Sequence, residues 1–280
     1  MKSGYLTTSD NARIYYEERG KGEPILFVPG HMCTVRFFDK NAAELERYYR
    51  VIVMDPRGFG NSSKVLHGNS VARHAKDIGE LITFLHLEQV TLLGWSMAGS
   101  AVVTYARQSE SKHIKALGIL DAALFPFSSG DWNSYAARDY NMEDWNEKYG
   151  MWVTDPERYY DNFLSRLSCG LNAEDLDMIR AEIKKTPPWI GYAIHTDWCH
   201  TDTEQYLDEL TVPVFLAFGE LTDGRSRMGR RYYEKLSSYR ELHEFGNGGH
   251  IFFWADSRNF NLKLIEFIKK ISMRERSVTG

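Results

Sequence analysis

The amino-acid sequence predicts an α/β protein, in which a mostly parallel sheet is flanked by helices and carries one helical insertion. Three observations support this prediction. Short apolar runs alternate with helical patterns from residue 1 to residue 120. The alternation stops after Asp121, and residues 124–210 are charged, aromatic and helical in pattern. It resumes at Val214. Strands that alternate with helices indicate a parallel sheet with right-handed crossovers.

The strands of the first half are predicted from continuous apolar runs that end in turn residues, a pattern typical of strands buried on both faces. The run at residues 25–28 ends at Pro29-Gly30, and the run at residues 51–54 ends at Asp55-Pro56-Arg57-Gly58. The predicted strands are residues 14–18, 25–28, 51–54, 90–93 and 116–120, and after the insertion 214–218 and 240–245.

The helices are predicted from apolar positions that recur on one helical face. Ser70 is expected to cap a helix whose apolar stripe is Val71, Ala75, Ile78, Ile82 and Leu85. Further helices are expected from Met97, near residues 228–236, and at the end of the chain, where Phe260, Leu264, Phe267 and Ile271 share a face.

The predicted domain organisation is a core of residues 1–123 and 211–280 with a helical cap at residues 124–210. The segment 124–210 holds five of the seven tryptophans. Large aromatic side chains could build the core of a thin helical layer, or they could line a substrate pocket between cap and sheet. Both functions can coexist.

Composition excludes several classes of protein. The chain has 280 residues, 43% of them hydrophobic, and a formal net charge of −4. It therefore lacks the basic excess that nucleic-acid binding requires. No signal peptide and no apolar run long enough to span a membrane is recognisable. Three cysteines without a CxxC pair fit a reducing compartment. We therefore expect a cytoplasmic protein with no nucleic-acid or membrane partner.

Ser96 is the candidate nucleophile. The stretch Leu92-Leu93-Gly94-Trp95-Ser96-Met97-Ala98-Gly99 passes from an apolar strand through Gly-x-Ser-x-Ala-Gly into a helix. A serine on such a sharp turn projects its hydroxyl from the sheet edge, and small residues on either side let strand and helix approach closely. Trp95 is expected to form an apolar wall beside it.

Two backbone amides could stabilise negative charge next to this serine. The amide of Met97 lies at a helix N-terminus, where N–H groups lack partners. A tight turn at Val28-Pro29-Gly30-His31-Met32 would bring a second amide, that of His31, beside it. Two such donors would form an oxyanion hole.

A base and an acid would complete the chemistry. His250 follows Gly246-Asn247-Gly248-Gly249 on a late loop, from which it could take the serine proton. An acid is needed to orient the imidazole. Asp121 ends one strand and Asp223 follows another, and both give the chain order nucleophile, acid, histidine; Glu220 is a third, weaker candidate.

The remaining motifs indicate neither a metal site nor a nucleotide cofactor. His195 and His200 match no standard zinc signature, and no Gly-x-Gly-x-x-Gly or phosphate-loop motif occurs. We therefore expect no metal and no cofactor. Arg57 is expected to form a structural ion pair.

Taken together, these residues resemble the α/β-hydrolase superfamily, in particular its serine esterases and lipases with a helical cap. The resemblance includes Asp55-Pro56-Arg57-Gly58-Phe59-Gly60-Asn61-Ser62, similar to the family's Asp-x-Arg-Gly-x-Gly-x-Ser loop. It implies Ser96 as nucleophile, His250 as base, and the amides of Met97 and His31 as oxyanion donors. The family's usual acid position is Thr222, one residue before Asp223; some members use the position of Asp121.

The expected activity is that of a serine hydrolase of the carboxylic ester hydrolase class (EC 3.1.1). It would cleave a small, largely apolar ester or lactone through an acyl-enzyme. Alternatives on the same residues are cleavage of amide, peptide or carbon–carbon bonds and perhydrolysis. A non-catalytic ligand-binding protein with the same fold is the alternative from another class.

Overall fold

The sheet of the protein has eight strands in the described residues, in the order β1-β2-β4-β3-β5-β6-β7-β8. The computed structural model describes residues 1–136, 140–167, 170–219, 225–246 and 248–279. The strands are β1 Lys2–Thr7, β2 Arg13–Arg19, β3 Pro24–Val28, β4 Arg50–Met54, β5 Val90–Trp95, β6 Ile114–Leu120, β7 Val214–Gly219 and β8 Arg240–Phe245. Strands β3 to β8 pair in parallel, while β1 and β2 are antiparallel.

Helices cover both faces of this sheet and fill the connection between β6 and β7. They are α1 Asp39–Leu45, α2 Val71–Phe84, α3 Ala98–Gln108, α4 Met142–Thr154, α5 Pro156–Ser165, α6 Ala173–Ile183, α7 Pro188–His200, α8 Arg225–Lys235, α9 Phe252–Ala255 and α10 Ser257–Thr279. Short 3₁₀ turns lie at Val35–Phe38, Glu204–Glu209 and Gly249–Ile251. The predicted fold class is confirmed.

The central strands are buried on both faces, as their apolar runs predict. Every residue of β5 and β6 is buried. Ser70 caps α2 as expected, because its side chain accepts a hydrogen bond from the Arg73 N–H at 3.2 Å. Two apolar clusters, one on each face of the sheet, result from this arrangement.

Strand β1 is absent from the sequence-based prediction. Of its six residues only Leu6 is buried, so the segment lacks the apolar run that marks the inner strands. The segment forms a strand because it pairs antiparallel with β2, and Leu6 lies opposite Ile14 in this pairing. An edge strand of this kind is specified by its partner more than by its own pattern.

The inserted segment packs on the carboxyl end of the sheet through large aromatic side chains. Trp145, Trp152 and Trp198 are buried, whereas Trp189 is 38% exposed. The indole N–H of Trp198 donates to the carbonyl oxygen of Ala123 at 3.1 Å. These contacts join the insertion to the core; its treatment as a separate cap bounded at residues 124 and 210 stays a prediction.

Arg57 forms a buried ion-pair network behind the loop after β4. Its side chain is fully buried. The guanidinium donates twice to Asp77, at 2.9 and 2.8 Å, and twice to Asp10, at 2.8 Å each. Two bidentate pairs use a planar fork that lysine cannot reproduce. The network ties the N-terminal hairpin to α2, as the structural interpretation of Arg57 anticipates.

Arg57→Ala is expected to lower the free energy of unfolding by about 3 kcal/mol, because it removes two bidentate pairs and leaves the buried Asp77 carboxylate with Arg73 alone. Arg57→Lys should recover little of this loss. Urea denaturation measures both changes. Arg47, which is exposed, supplies the control: Arg47→Ala should change stability by less than about 0.5 kcal/mol. Equal stability of the Arg57 variants and the wild type would contradict the assignment.

Candidate active site

Ser96 lies on a strained turn between β5 and α3. Its φ of +56° is in the left-handed region, which non-glycine residues seldom adopt outside functional turns. The backbone is held there by the Ser96 N–H, which donates to Leu120 O at 2.9 Å. A Cβ atom on Gly94 would lie 2.5 Å from the carbonyl oxygen of Ala98. The turn therefore requires the small residue two positions before the serine.

His250 reaches the same place from the turn that follows β8. Gly248 has a φ of +90°, and a Cβ atom on Gly219 would lie 2.1 Å from the carbonyl oxygen of Gly249. These glycines let the loop pass close to the end of β7. The indole N–H of Trp95 donates to the carbonyl oxygen of His250 at 2.9 Å. The residue beside Ser96 thus helps to position the imidazole.

Ser96, His250 and Asp121 form one hydrogen-bonded chain of side chains. The Ser96 Oγ lies 3.0 Å from His250 Nε2, and His250 Nδ1 lies 2.5 Å from Asp121 Oδ2. Asp121, at the end of β6, has a fully buried side chain. A carboxylate accepts only, so Nδ1 carries the proton and donates to Asp121. Nε2 is then free to accept from the serine hydroxyl.

Asp223 and Glu220 both lie outside the described residues. The choice between Asp121 and Asp223 therefore stays open to experiment, and the contact of Asp121 with His250 is the reason to prefer it.

The turn after β3 brings its backbone against Ser96. A Cβ atom on Gly30 would lie 2.8 Å from Ser96 Cβ and 3.1 Å from Trp95 O. The turn is closed by the Cys33 N–H, which donates to Gly30 O at 3.1 Å. Met97 occupies the position directly before α3. The amides of His31 and Met97 belong to these two turns, and their role as oxyanion donors stays a prediction.

Comparison with known proteins agrees with this architecture. The sequence model of the alpha/beta hydrolase fold matches residues 23–257. The chain belongs to the α/β-hydrolase family. It is 24% identical over 268 residues to the AB hydrolase superfamily protein YisY of Bacillus subtilis, across 94% of this chain and 98% of that protein.

Two solved structures share the fold of this α/β hydrolase. A bromoperoxidase from Bacillus anthracis superposes with a TM-score of 0.86 at 22% identity, covering 96% of this chain and 100% of that one. An esterase from Exiguobacterium antarcticum also gives 0.86, at 21% identity, covering 95% and 98%. At such identities the likeness concerns the fold, since one fold hosts many activities.

A cavity of about 310 Å³ opens beside Ser96 and His250 in this member of the α/β-hydrolase family. Trp95 and His31 also line it. Asp121 lies behind His250, and neither it nor Met97 is among the lining residues. The inserted segment contributes Trp198, one of the tryptophans expected to be able to line a pocket. Sequence reasoning missed the other side chains that it adds to the wall, namely Tyr135, Tyr140, Asp144, Lys148, Phe163, Arg166 and Leu167.

Two of the three histidines that line the cavity, His31 and His195, are neutral; His31 is buried and His195 is half-buried. Burial lowers the pKa of His31 to about 3, with a smaller contribution from His74. Burial also lowers the pKa of His195 well below its ordinary value. The sequence singles out His195 only as a weak metal candidate, because nothing in its local pattern reveals that α7 turns it toward the site.

The His195 and His200 pair offers no metal site in the part of the chain that the structure describes. His195 Nε2 pairs with the Tyr140 hydroxyl at 2.7 Å, and His200 Nδ1 with Thr196 O at 2.8 Å. Across the same residues, no group of three His, Cys, Asp or Glu side chains is placed to hold a metal ion. Among the same residues, no helix has the length and apolarity needed to span a membrane.

Proposed function

We propose that the protein is a serine hydrolase that cleaves a small carboxylic ester or lactone through an acyl-enzyme. The observation that carries the proposal is the hydrogen-bonded chain from Ser96 through His250 to Asp121 at the wall of a cavity. Nucleophile, base and orienting acid in this arrangement are the parts that acyl transfer needs. Membership in the α/β-hydrolase family agrees with it.

Acylation begins when Ser96 Oγ attacks the carbonyl carbon and its proton passes to His250 Nε2. Negative charge collects on the carbonyl oxygen, which the amides of Met97 and His31 stabilise. The charge on Asp121 stabilises the imidazolium. Collapse of the intermediate breaks the bond to the alkoxy oxygen, which leaves with the proton from Nε2.

Deacylation repeats these steps with water. His250 takes a proton from water as the water oxygen attacks the acyl carbon, and Ser96 Oγ leaves with that proton. Ester and water thus give carboxylic acid and alcohol, and a lactone gives the hydroxy acid. The cavity of about 310 Å³ is of a size suited to a small substrate.

A fluorophosphonate probe tests the proposal directly, because it modifies only an activated serine. Wild-type protein should be labelled on Ser96, as peptide mass spectrometry would show, and unfolded protein should not. Folded protein that takes no label would overturn the proposal and favour a ligand-binding protein of the same fold. A panel of ester, lactone, amide and β-diketone substrates, with and without peroxide, then separates esterase activity from the alternative reactions of the same residues.

The approach of Gly30 to Ser96 leads to a second prediction. Gly30→Ala is expected to lower kcat/KM for p-nitrophenyl acetate about 100-fold, because the new methyl group meets Ser96 Cβ and backbone that cannot yield, and a displacement of about 1 Å can cost that much. Steady-state kinetics measure the effect.

Gly150 supplies the matched control for that variant. A Cβ atom there would have no neighbour within 4 Å, and Gly150 lies in α4. Gly150→Ala should therefore keep full activity and gain up to about 1 kcal/mol of stability from helix propensity. Full activity in Gly30→Ala would show that the turn after β3 does not approach the reacting groups.

A further inference from the structure

Two adjacent imidazoles in the cavity wall lack the hydrogen bonds that buried polar groups normally make. The ring centroids of His31 and His195 are 5.0 Å apart. Three of their ring nitrogens, His31 Nδ1, His31 Nε2 and His195 Nδ1, have no hydrogen-bond partner among the described residues. Nearly all buried polar groups in proteins are paired, with ligand or water where protein offers nothing. These nitrogens therefore indicate a place for a polar ligand group.

Tyr140 determines which atom of His195 can donate. Its hydroxyl lies 2.7 Å from His195 Nε2. Burial raises the pKa of Tyr140, so the hydroxyl keeps its proton. Nε2 is the one hydrogen-bond partner of this hydroxyl among the described residues, so the hydroxyl donates to it. A neutral imidazole with an accepting Nε2 carries its proton on Nδ1. His195 Nδ1 is consequently a hydrogen-bond donor that has no acceptor among the described residues.

Two cations line the same part of the cavity. Lys148, from α4, and Arg166, directly after α5, both line it. Lys148 Nζ lies 4.5 Å from the centre of the Tyr140 ring. Within the described residues Arg166 forms no ion pair. The one carboxylate among the described lining residues, Asp144, accepts the Asn141 N–H at 3.3 Å as part of the α4 cap. The His195 N–H group and the Arg166 guanidinium thus supply donors and positive charge to this wall.

We propose that His31, His195, Lys148 and Arg166 form a carboxylate subsite, and that the substrate is a small ester bearing a carboxylate in addition to its reacting carbonyl. The inference rests on the proposed function. A carboxylate has lone pairs for several donors at once, and charge-assisted hydrogen bonds are the strong ones. An all-carbon chain would leave the buried ring nitrogens of His31 and His195 unpaired, whereas a monoester of a short dicarboxylic acid fits both the donors and the limited volume.

Paired substrates of equal length test the subsite. Monomethyl glutarate carries a carboxylate where methyl pentanoate has its terminal methyl group. Wild-type kcat/KM, followed by proton release at constant ionic strength, should favour monomethyl glutarate at least about tenfold. Arg166→Met and His195→Phe should each lower this ratio about tenfold or more. Arg158, an exposed arginine on α5, gives the control Arg158→Met, in which the ratio should stay unchanged.

A binding measurement separates this inference from the hydrolase proposal. Calorimetry with Ser96→Ala protein should give tighter binding of monomethyl glutarate than of methyl pentanoate, and Arg166→Met should remove the difference. Preferential binding of monomethyl glutarate, with no hydrolysis of either ester by the wild-type protein, would support the subsite and overturn the proposed hydrolase activity. Equal kcat/KM for the two esters, or a ratio that is unchanged in both subsite variants, would overturn the subsite even if probe labelling succeeds.

Further esters test the chemistry of the subsite. If methyl 5-hydroxypentanoate is hydrolysed as fast as monomethyl glutarate, the assignment to a carboxylate is wrong. Carboxymethyl butyrate, with its carboxylate on the alcohol side, shows which side of the ester the subsite receives.

Discussion

Ser96→Ala is expected to lower kcat for a small ester by about 10⁵-fold or more, to the level that binding and oxyanion donors alone provide. The loss is this large because the hydroxyl forms the covalent intermediate and is the group that contacts His250 Nε2, at 3.0 Å. Stability should change by less than about 1 kcal/mol, since the variant keeps the backbone contacts of the turn. Active-site-titrated kinetics and urea denaturation measure the two quantities.

Ser237 supplies the control for this variant. It is exposed, so Ser237→Ala should retain wild-type kcat and probe labelling. Substantial ester hydrolysis by Ser96→Ala, purified apart from any wild-type protein, would exclude the acyl-enzyme mechanism on this serine.

Asp121→Asn is expected to lower kcat about 10⁴-fold, because an amide neither stabilises the imidazolium nor enforces the tautomer with the proton on His250 Nδ1. The fold should persist. Asp121 has a φ of +44°, and asparagine tolerates this region better than most residues. Kinetics on p-nitrophenyl acetate, together with urea denaturation, would separate a loss of catalysis from a loss of stability.

Asp223→Asn is the matched test of the competing acid. If Asp121 is the acid, Asp223→Asn should change kcat less than about tenfold, as expected of a residue that does not hold the imidazole. The reverse order of effects would assign the role to Asp223 and leave Asp121 as a structural residue at the end of β6. Small effects of both substitutions would contradict an acid at either position.

Much of the fold follows from local features of the sequence. The inner strands are marked by apolar runs that end in turn residues, and α2 by one apolar stripe with a serine cap. Ser96 stands out because the strand, the small residues and the helix that make its turn are neighbours in the chain. Strand β1 is not predicted in this way, because one buried residue, Leu6, makes no apolar run and no alternating pattern.

The sequence by itself determined the fold class, the place of the insertion, and the pairing of a serine turn with a late histidine as the candidates for catalysis. Only the tertiary structure brought Asp121 to His250, 129 positions along the chain, and gathered His195, Lys148 and Arg166 around one cavity. The physical reason is distance. A hydrogen bond forms only near 3 Å, and whether two remote side chains come that close depends on how whole elements pack, which no local pattern of residues encodes.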